Sequence, residues 1–501
     1  MFRPFRTDTN RPRSSAACIA RILIALAVPL HLGVFAFAAH AIELDADRPS
    51  KDPPITNPDS PQYAPRLRVI VETDAGADPD DEQSLVRFLM YANEFDVLGI
   101  IANRRDARDG ENLHLERTGP GIVRAIVAAY GEHAERLRKH DPRYPDAESM
   151  KARVFSGMTE SDEGVNLVLR AVDDKDPRPV WFLNWGTDFG SEPSSLRRAL
   201  DLVLKSRGRE AYAQFKSRIY LSSDNQFGEH TYELEPGFPL WVDTFRPERN
   251  RRRWYHRFSA ITATAGGFDI ERDVRTGHGS LGAMYPINTT HRQKEGDTMT
   301  FLYLVPTGMN DPHEPNWGSW AGRYGCRSNV GKPYYFANQE DEWRGETNRD
   351  NTVARWAADL QNDFRARMEW CVRDPDSANH APRVHVSGTR TRKVRSHQRV
   401  EFSAEASSDA DGDQLDYAWE FYREAGDLQD LPQLSHPNAP RVSFVAPVVS
   451  FPSQLHLLVA VRDRGERADR GFRKRQQGGA DRRRQHRAGQ RGSGHRDDRR
   501  S

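Results

Sequence analysis

The chain of 501 residues is poor in cysteine, in long apolar runs and in net charge. Its three cysteines are Cys18, Cys326 and Cys371, and none stands in a Cys/His cluster with zinc-ligand spacing, so no zinc site is expected. Only one apolar run, Ile22 to Ala39, approaches the ~20 residues needed to cross a bilayer. It follows Arg3, Arg6, Arg11, Arg13 and Arg21, is interrupted by Pro29, His31 and Gly33, and closes on Ala39-His40-Ala41, an A-x-A cleavage pattern. Residues 1–41 therefore read as a signal peptide cut after Ala41, with an uncleaved anchor as the alternative. Export implies a secreted or periplasmic protein with no stable membrane span after signal removal. It also permits a Cys326–Cys371 disulfide once Cys18 has left with the signal; two free thiols are the alternative.

The net charge of +1 hides an asymmetry. From Arg462 to Ser501 there are 15 Lys or Arg and 6 Asp or Glu, a net of +9, which leaves −8 on the rest of the chain. This tail holds a single large apolar residue, Phe472, and cannot build a core. We read 463–501 as a basic disordered tail without specific nucleic-acid recognition; a polyanion-binding arm is the alternative.

Length and composition divide the remainder. The chain exceeds the roughly 250 to 300 residues at which a single core stops growing. A Pro-, Asp- and Ser-rich stretch at 42–65 suits a linker, and Asp374 to Pro382 suits another. Between them, 66–373 alternates apolar strands with helical patterns. After them, 383–462 shows the short alternating runs Val384-His385-Val386, Arg399 to Phe402 and Leu415 to Trp419, followed by a strand at Leu455 to Val461, as in a small β-sandwich.

The most informative stretch is Arg68 to Glu94. Val69, Ile70 and Val71 form a β-branched run of the kind buried in a parallel sheet, ended by Gly76 and Pro79. A helix starts near Asp80, where Asp80 or Asp81 can cap it, and Leu85, Val86, Leu89 and Met90 give it an apolar face. Asp74, Asp78, Asp80 and Asp81 thus crowd into one loop at the carboxyl end of a strand, where open α/β sheets place ligands. Carboxylates so close repel unless a cation lies between them, and hard oxygen donors favour Ca²⁺ or Mg²⁺. A solvated acidic turn with a good helix cap is the alternative.

The same stretch resembles the N-terminal motif of nucleoside hydrolases, Asp-x-Asp-x-Gly-x-Asp-Asp. Glu72 stands at the first acid, then Asp74, Gly76, Asp80 and Asp81, with Asp78 and Pro79 inserted. The run Asp78 to Arg87 is similar to that of a secreted family described as cellulose-binding, whose main domain is nucleoside-hydrolase-like. Tyr144 to Ala147, Trp185-Gly186, Gly279 to Pro286, Glu295 to Thr298 and Trp317 to Tyr324 look like further segments of that family in the same order. The Ser407 to Asp413 turn resembles polycystic-kidney-disease-type domains and the C-terminal domain of that family.

The resemblance implies an α/β, nucleoside-hydrolase-like open mixed or parallel sheet with flanking helices, followed by a small immunoglobulin-like or PKD-like β-sandwich. It implies a Ca²⁺ ion held by Asp74, Asp81, Asp311 and the Ser194 carbonyl, with Asp74 or Asp80 as proton acceptor. Asp311 follows the apolar run Phe301 to Pro306, which reads as a strand leading to Asn310-Asp311-Pro312. Asp80, Asp224, Asn225, His278 and Asn310 are the expected substrate contacts, and Arg323 is a further candidate. The expected substrate is a nucleoside or other small glycoside, hydrolysed at a glycosidic bond of N-ribosidic type, with polysaccharide as a further expected partner. The rival expectation is a non-catalytic polysaccharide-binding protein on the same fold; its 10 Trp and 15 Tyr supply rings for sugar stacking.

Overall fold

The computed structural model describes residues 35–45 (as backbone), 65–110, 114–187, 193–223, 237–245, 258–264, 267–287, 293–326 and 334–464. In chain order the first elements are β1 (Phe35–Asp45), β2 (Leu67–Thr73), α1 (Asp80–Met90), β3 (Phe95–Ala102), α2 (Gly119–His140), α3 (Ala147–Lys151), β4 (Val154–Ser156), α4 (Glu163–Asp173) and β5 (Val180–Trp185). There follow α5 (Ser195–Lys216), β6 (Ile219–Ser223), β7 (Leu240–Asp243), α6 (Phe258–Thr264), α7 (Gly279–Met284), α8 (Thr298–Leu302), β8 (Gly325–Cys326) and β9 (Tyr334–Phe336). The last are β10 (Asp341–Trp343), β11 (Glu346–Asn348), α9 (Asn351–Ala354), α10 (Ala357–Trp370), β12 (Thr391–Arg395), β13 (Arg399–Ser403), β14 (Leu415–Phe421), β15 (Arg441–Val445) and β16 (Ser453–Asp463).

Eight strands form one sheet in the order β4-β3-β2-β5-β6-β7-β9-β8, parallel except for β8 against β9. Its strands read as near-continuous apolar runs because both faces are covered. Val69 and Val71 enter a core with α1 and α2, while Ile70 joins Phe182 and Leu221 beneath α4 and α5. Alternation along β2 therefore sends successive residues to opposite layers. The chain runs outward from β2 through β3 to β4 and then returns to β5, so the strand order reverses between β2 and β5. Their carboxyl ends flank a topological switch point.

The C-terminal region is antiparallel. β14, β16, β1 and β12 form a four-stranded sheet and β13 pairs with β15, which fits a small sandwich. Val384 to Val386, expected as a strand, contributes only the flanking bridge Arg383–Ser408. β1 runs antiparallel to β16 and parallel to β12. Its residues Phe35 to Ala41 fall inside the expected signal peptide, so cleavage after Ala41 would undo that pairing; residues 1–34 and the basic tail from 465 onward lie outside the described residues. No helix among the described residues is long and apolar enough to cross a membrane.

The two regions share one apolar core that runs from Val69 to Val461. Buried charges cross it. Asp341 accepts Arg323 Nε at 2.7 Å and Tyr422 Oη at 2.5 Å, and Arg355 Nη1 lies 3.3 Å from it. Arg390 donates Nη2 to the carbonyls of Gly308 at 3.4 Å and Asn310 at 3.1 Å. Cys371 is a free buried thiol 3.7 Å from Met90 Sδ, so the expected Cys326–Cys371 disulfide is not formed.

Candidate metal centre

β2 delivers its last residues to the switch point in alternation. Glu72 points to the α5 side, where its carboxylate accepts the Ser195 backbone N–H at 2.8 and 3.0 Å. The first acid of the motif is thus the cap of a buried helix N-terminus. Thr73 points the other way: its hydroxyl bonds Asp81, and its Oγ1 accepts Ala75 N at 3.0 Å. Asp74 follows at the end of the strand, its N–H reaching Trp185 O at 3.3 Å. Gly186 faces it with φ +73°, and a Cβ there would stand 2.9 Å from Asp74 Oδ1. Only glycine combines that backbone with that proximity.

α1 begins at Asp80 with Pro79 in the N-cap position and no side-chain cap, so Asp80 and Asp81 do not play the capping part foreseen for them. Their carboxylates instead converge with that of Asp297, and the three ligand oxygens lie within 4.8 Å of one another. All three residues are buried, Asp81 at 3% and Asp297 at 2% exposure. Two oxygens bound to one Ca²⁺ at 2.3–2.6 Å stand no more than about 5 Å apart, so the grouping fits a hard divalent cation. The electrostatics agree. Burial, then the charge of Asp297, pushes the Asp80 and Asp81 carboxyls well above the usual carboxylate range. Asp74, hydrogen-bonded to Asp81, is pushed up to about 7 by burial, against the pull of Arg104 Nη1 at 3.4 Å. Such groups need a cation to remain charged together.

Of the expected ligands, the structure brings Asp74 and Asp81 together and adds Asp80. Ser194 caps α5: its Oγ accepts Arg197 N at 3.1 Å and its carbonyl accepts Arg198 N at 3.1 Å, on the Glu72 side. Asp311 is not in the cluster; it lies at the interface gripped by Arg390, with Oδ1 accepting His313 N at 2.9 Å. Asn310 is spent nearby, donating Nδ2 to Tyr303 O at 2.9 Å. The reason is the secondary structure of one apolar run. Over Phe301 to Pro306, where a strand was expected, Phe301 and Leu302 close helix α8 and Tyr303 to Val305 turn, and the acid grouped with Asp80 and Asp81 is Asp297 ahead of this run instead of Asp311 behind it.

His278 stands at the start of α7 beside Val274, Gly282 and Met368, where the next residue packs on His133 of α2. The contacts around His278 are thus with Val274, Gly282 and Met368, and Asp80, Asp81 and Asp297 are not among them. Arg323 is buried in the interface. Asp224 and Asn225 lie outside the described residues. The sandwich turn also groups Asp409, Asp411 and Asp413, where Asp411 holds His380 N at 2.8 Å and Nδ1 at 2.9 Å.

Residues 68–324 match the family described as cellulose-binding Sde182, nucleoside hydrolase-like domain. Residues 399–474 match the C-terminal domain of cellulose-binding protein Sde0182. The solved structure of a nucleoside hydrolase-related hypothetical protein from Saccharophagus degradans, described as associated with carbohydrate metabolism, is 27% identical, with a TM-score of 0.61 over 80% of this chain and 97% of that one. No curated protein matches the chain. A nucleoside-hydrolase-like sheet with its acids gathered at the switch point and a C-terminal sandwich packed on it identifies the chain as a member of the cellulose-binding Sde182 family.

Proposed function

We propose that the protein is a secreted, divalent-cation-dependent hydrolase of glycosidic bonds, with an N-ribosidic or related small glycoside as substrate. The observation that carries this reading is the burial of Asp80, Asp81 and Asp297 in one group beside Asp74 at the strand-order reversal. Asp81, Asp80, Asp297 and Asp74 would hold the ion, and Ca²⁺ suits this all-oxygen set. When bound, such an ion grips sugar hydroxyls and makes a water more acidic.

The chain's own groups account for the remaining chemistry. Thr73 fixes the orientation of Asp81, and Gly186 leaves open the approach to Asp74 Oδ1. Asp74 takes a proton from the attacking water at Oδ1, while Arg104 steadies Oδ2. The buried carboxylates then stabilise the positive charge that develops on the sugar as the glycosidic bond breaks.

Asp81→Ala should lose Ca²⁺ binding and turnover of p-nitrophenyl riboside together, whereas Asp74→Ala should fold and lose roughly 10²–10⁴-fold in turnover. Full hydrolysis by Asp81→Ala would end the mechanism. A second reading has support in the family description itself: a polysaccharide-binding protein without catalysis. Retention on insoluble cellulose with no release from any glycoside would favour it.

A further inference from the structure

The loop that brings Asp297 to the centre also carries Lys294. Its ammonium pairs with Asp78 and lies 3.1 Å from the Asp80 carboxylate, with the side chain 19% exposed. Asp80 therefore belongs to two groups, to Asp81 and Asp297 on its inner side and to Asp78 on its outer side. A carboxylate shared between two sets of acids is the donor layout of two-metal hydrolytic sites, whose ions stand about 3.5–4 Å apart. Here the outer position is filled by an ammonium group.

We propose that Lys294 is the second cation of this centre, a positioning residue that restricts it to one divalent ion. The inference rests on the reading of the inner carboxylates as a cation site. Lys294 is held in place from behind. The backbone N–H groups of Lys294 and Glu295 donate to Gln83 Oε1 at 2.8 and 3.1 Å. Glu295 adopts φ +42°, and its carboxylate accepts Arg87 at 2.5 and 3.0 Å, Tyr285 Oη at 2.6 Å and Thr298 Oγ1 at 2.9 Å. Arg87 is fully buried, its guanidinium 3.8 Å from the Phe364 ring centre. These contacts fix the backbone from which the ammonium reaches Asp78 and Asp80. Asp78, which anchors its other side, belongs to the two-residue insertion immediately before α1, so the insertion and the lysine form one device.

The test is a count of Ca²⁺ bound to the full chain by equilibrium dialysis, taken as differences from wild type so that the sandwich turn cancels. Lys294→Met should hold one more ion per chain than wild type, and Lys294→Arg the wild-type number. Adding Asp78→Asn to Lys294→Met should remove the extra ion. Lys294→Gln serves as a second charge-free variant should the methionine misfold. An unchanged or lowered count in the charge-free variants, or a gain that survives Asp78→Asn, overturns the proposal. Failure of the underlying reading looks different: Asp81→Ala then binds as many ions as wild type, and both fall.

Discussion

Gly186 shows how tightly single residues constrain the centre. A side chain there meets Asp74 Oδ1 at 2.9 Å and must also accept φ +73°. Gly186→Ala should lower stability by about 1–3 kcal/mol in urea titrations and reduce turnover more than the loss of fold explains. Asp359 tests burial elsewhere. Burial on α10 pushes its carboxyl from 3.8 up to about 7, against the pull of Arg462. The folded state therefore holds a proton that the unfolded chain gives up. The stabilisation is complete below about pH 4 and is lost as pH rises through about 7. Urea midpoints of wild type minus Asp359→Asn should fall across that interval; parallel curves would refute the assignment.

At the scale of elements, the decisive difference lies in α8. The apolar run after Asp297 carries no period that separates a buried strand from a short buried helix, so Asp311 after it and Asp297 before it were equally placed by pattern alone. Asp297→Ala should weaken Ca²⁺ binding by at least about tenfold, whereas Asp311→Ala should leave it unchanged in calorimetry. β2 and the start of α1 were legible, because a β-branched run and a 3.6-residue apolar repeat each have one local meaning, whereas the four aspartates between them fitted both a cation site and a capped turn. The extent of α5 was less so: it runs to Lys216 across a non-helical Gly208. Roles that depend on distant partners left no local signal. Nothing near Glu72 announces that it caps α5, and nothing near Lys294 announces Asp78 and Asp80 more than 200 residues away.

For the whole molecule, the parallel sheet and the sandwich are joined by one core and by the Asp341 and Arg390 clusters. Calorimetry of the full chain should show one unfolding transition, and a chain stopped after Arg373 should lose cooperative unfolding, because the apolar face that meets the sandwich would then face water. Two separate transitions would show that the halves are energetically independent. A last consequence follows from β1. Phe35 to Ala41 lie along Arg462 to His456 of the neighbouring strand, and only Ile42 to Leu44 continue that ladder beyond the expected cut. The same residues cannot be discarded at export and woven into the sheet. Amino-terminal sequencing of native protein decides between them: a start at Ile42 means that the finished molecule carries a bare sheet margin, ready to zip onto a neighbour.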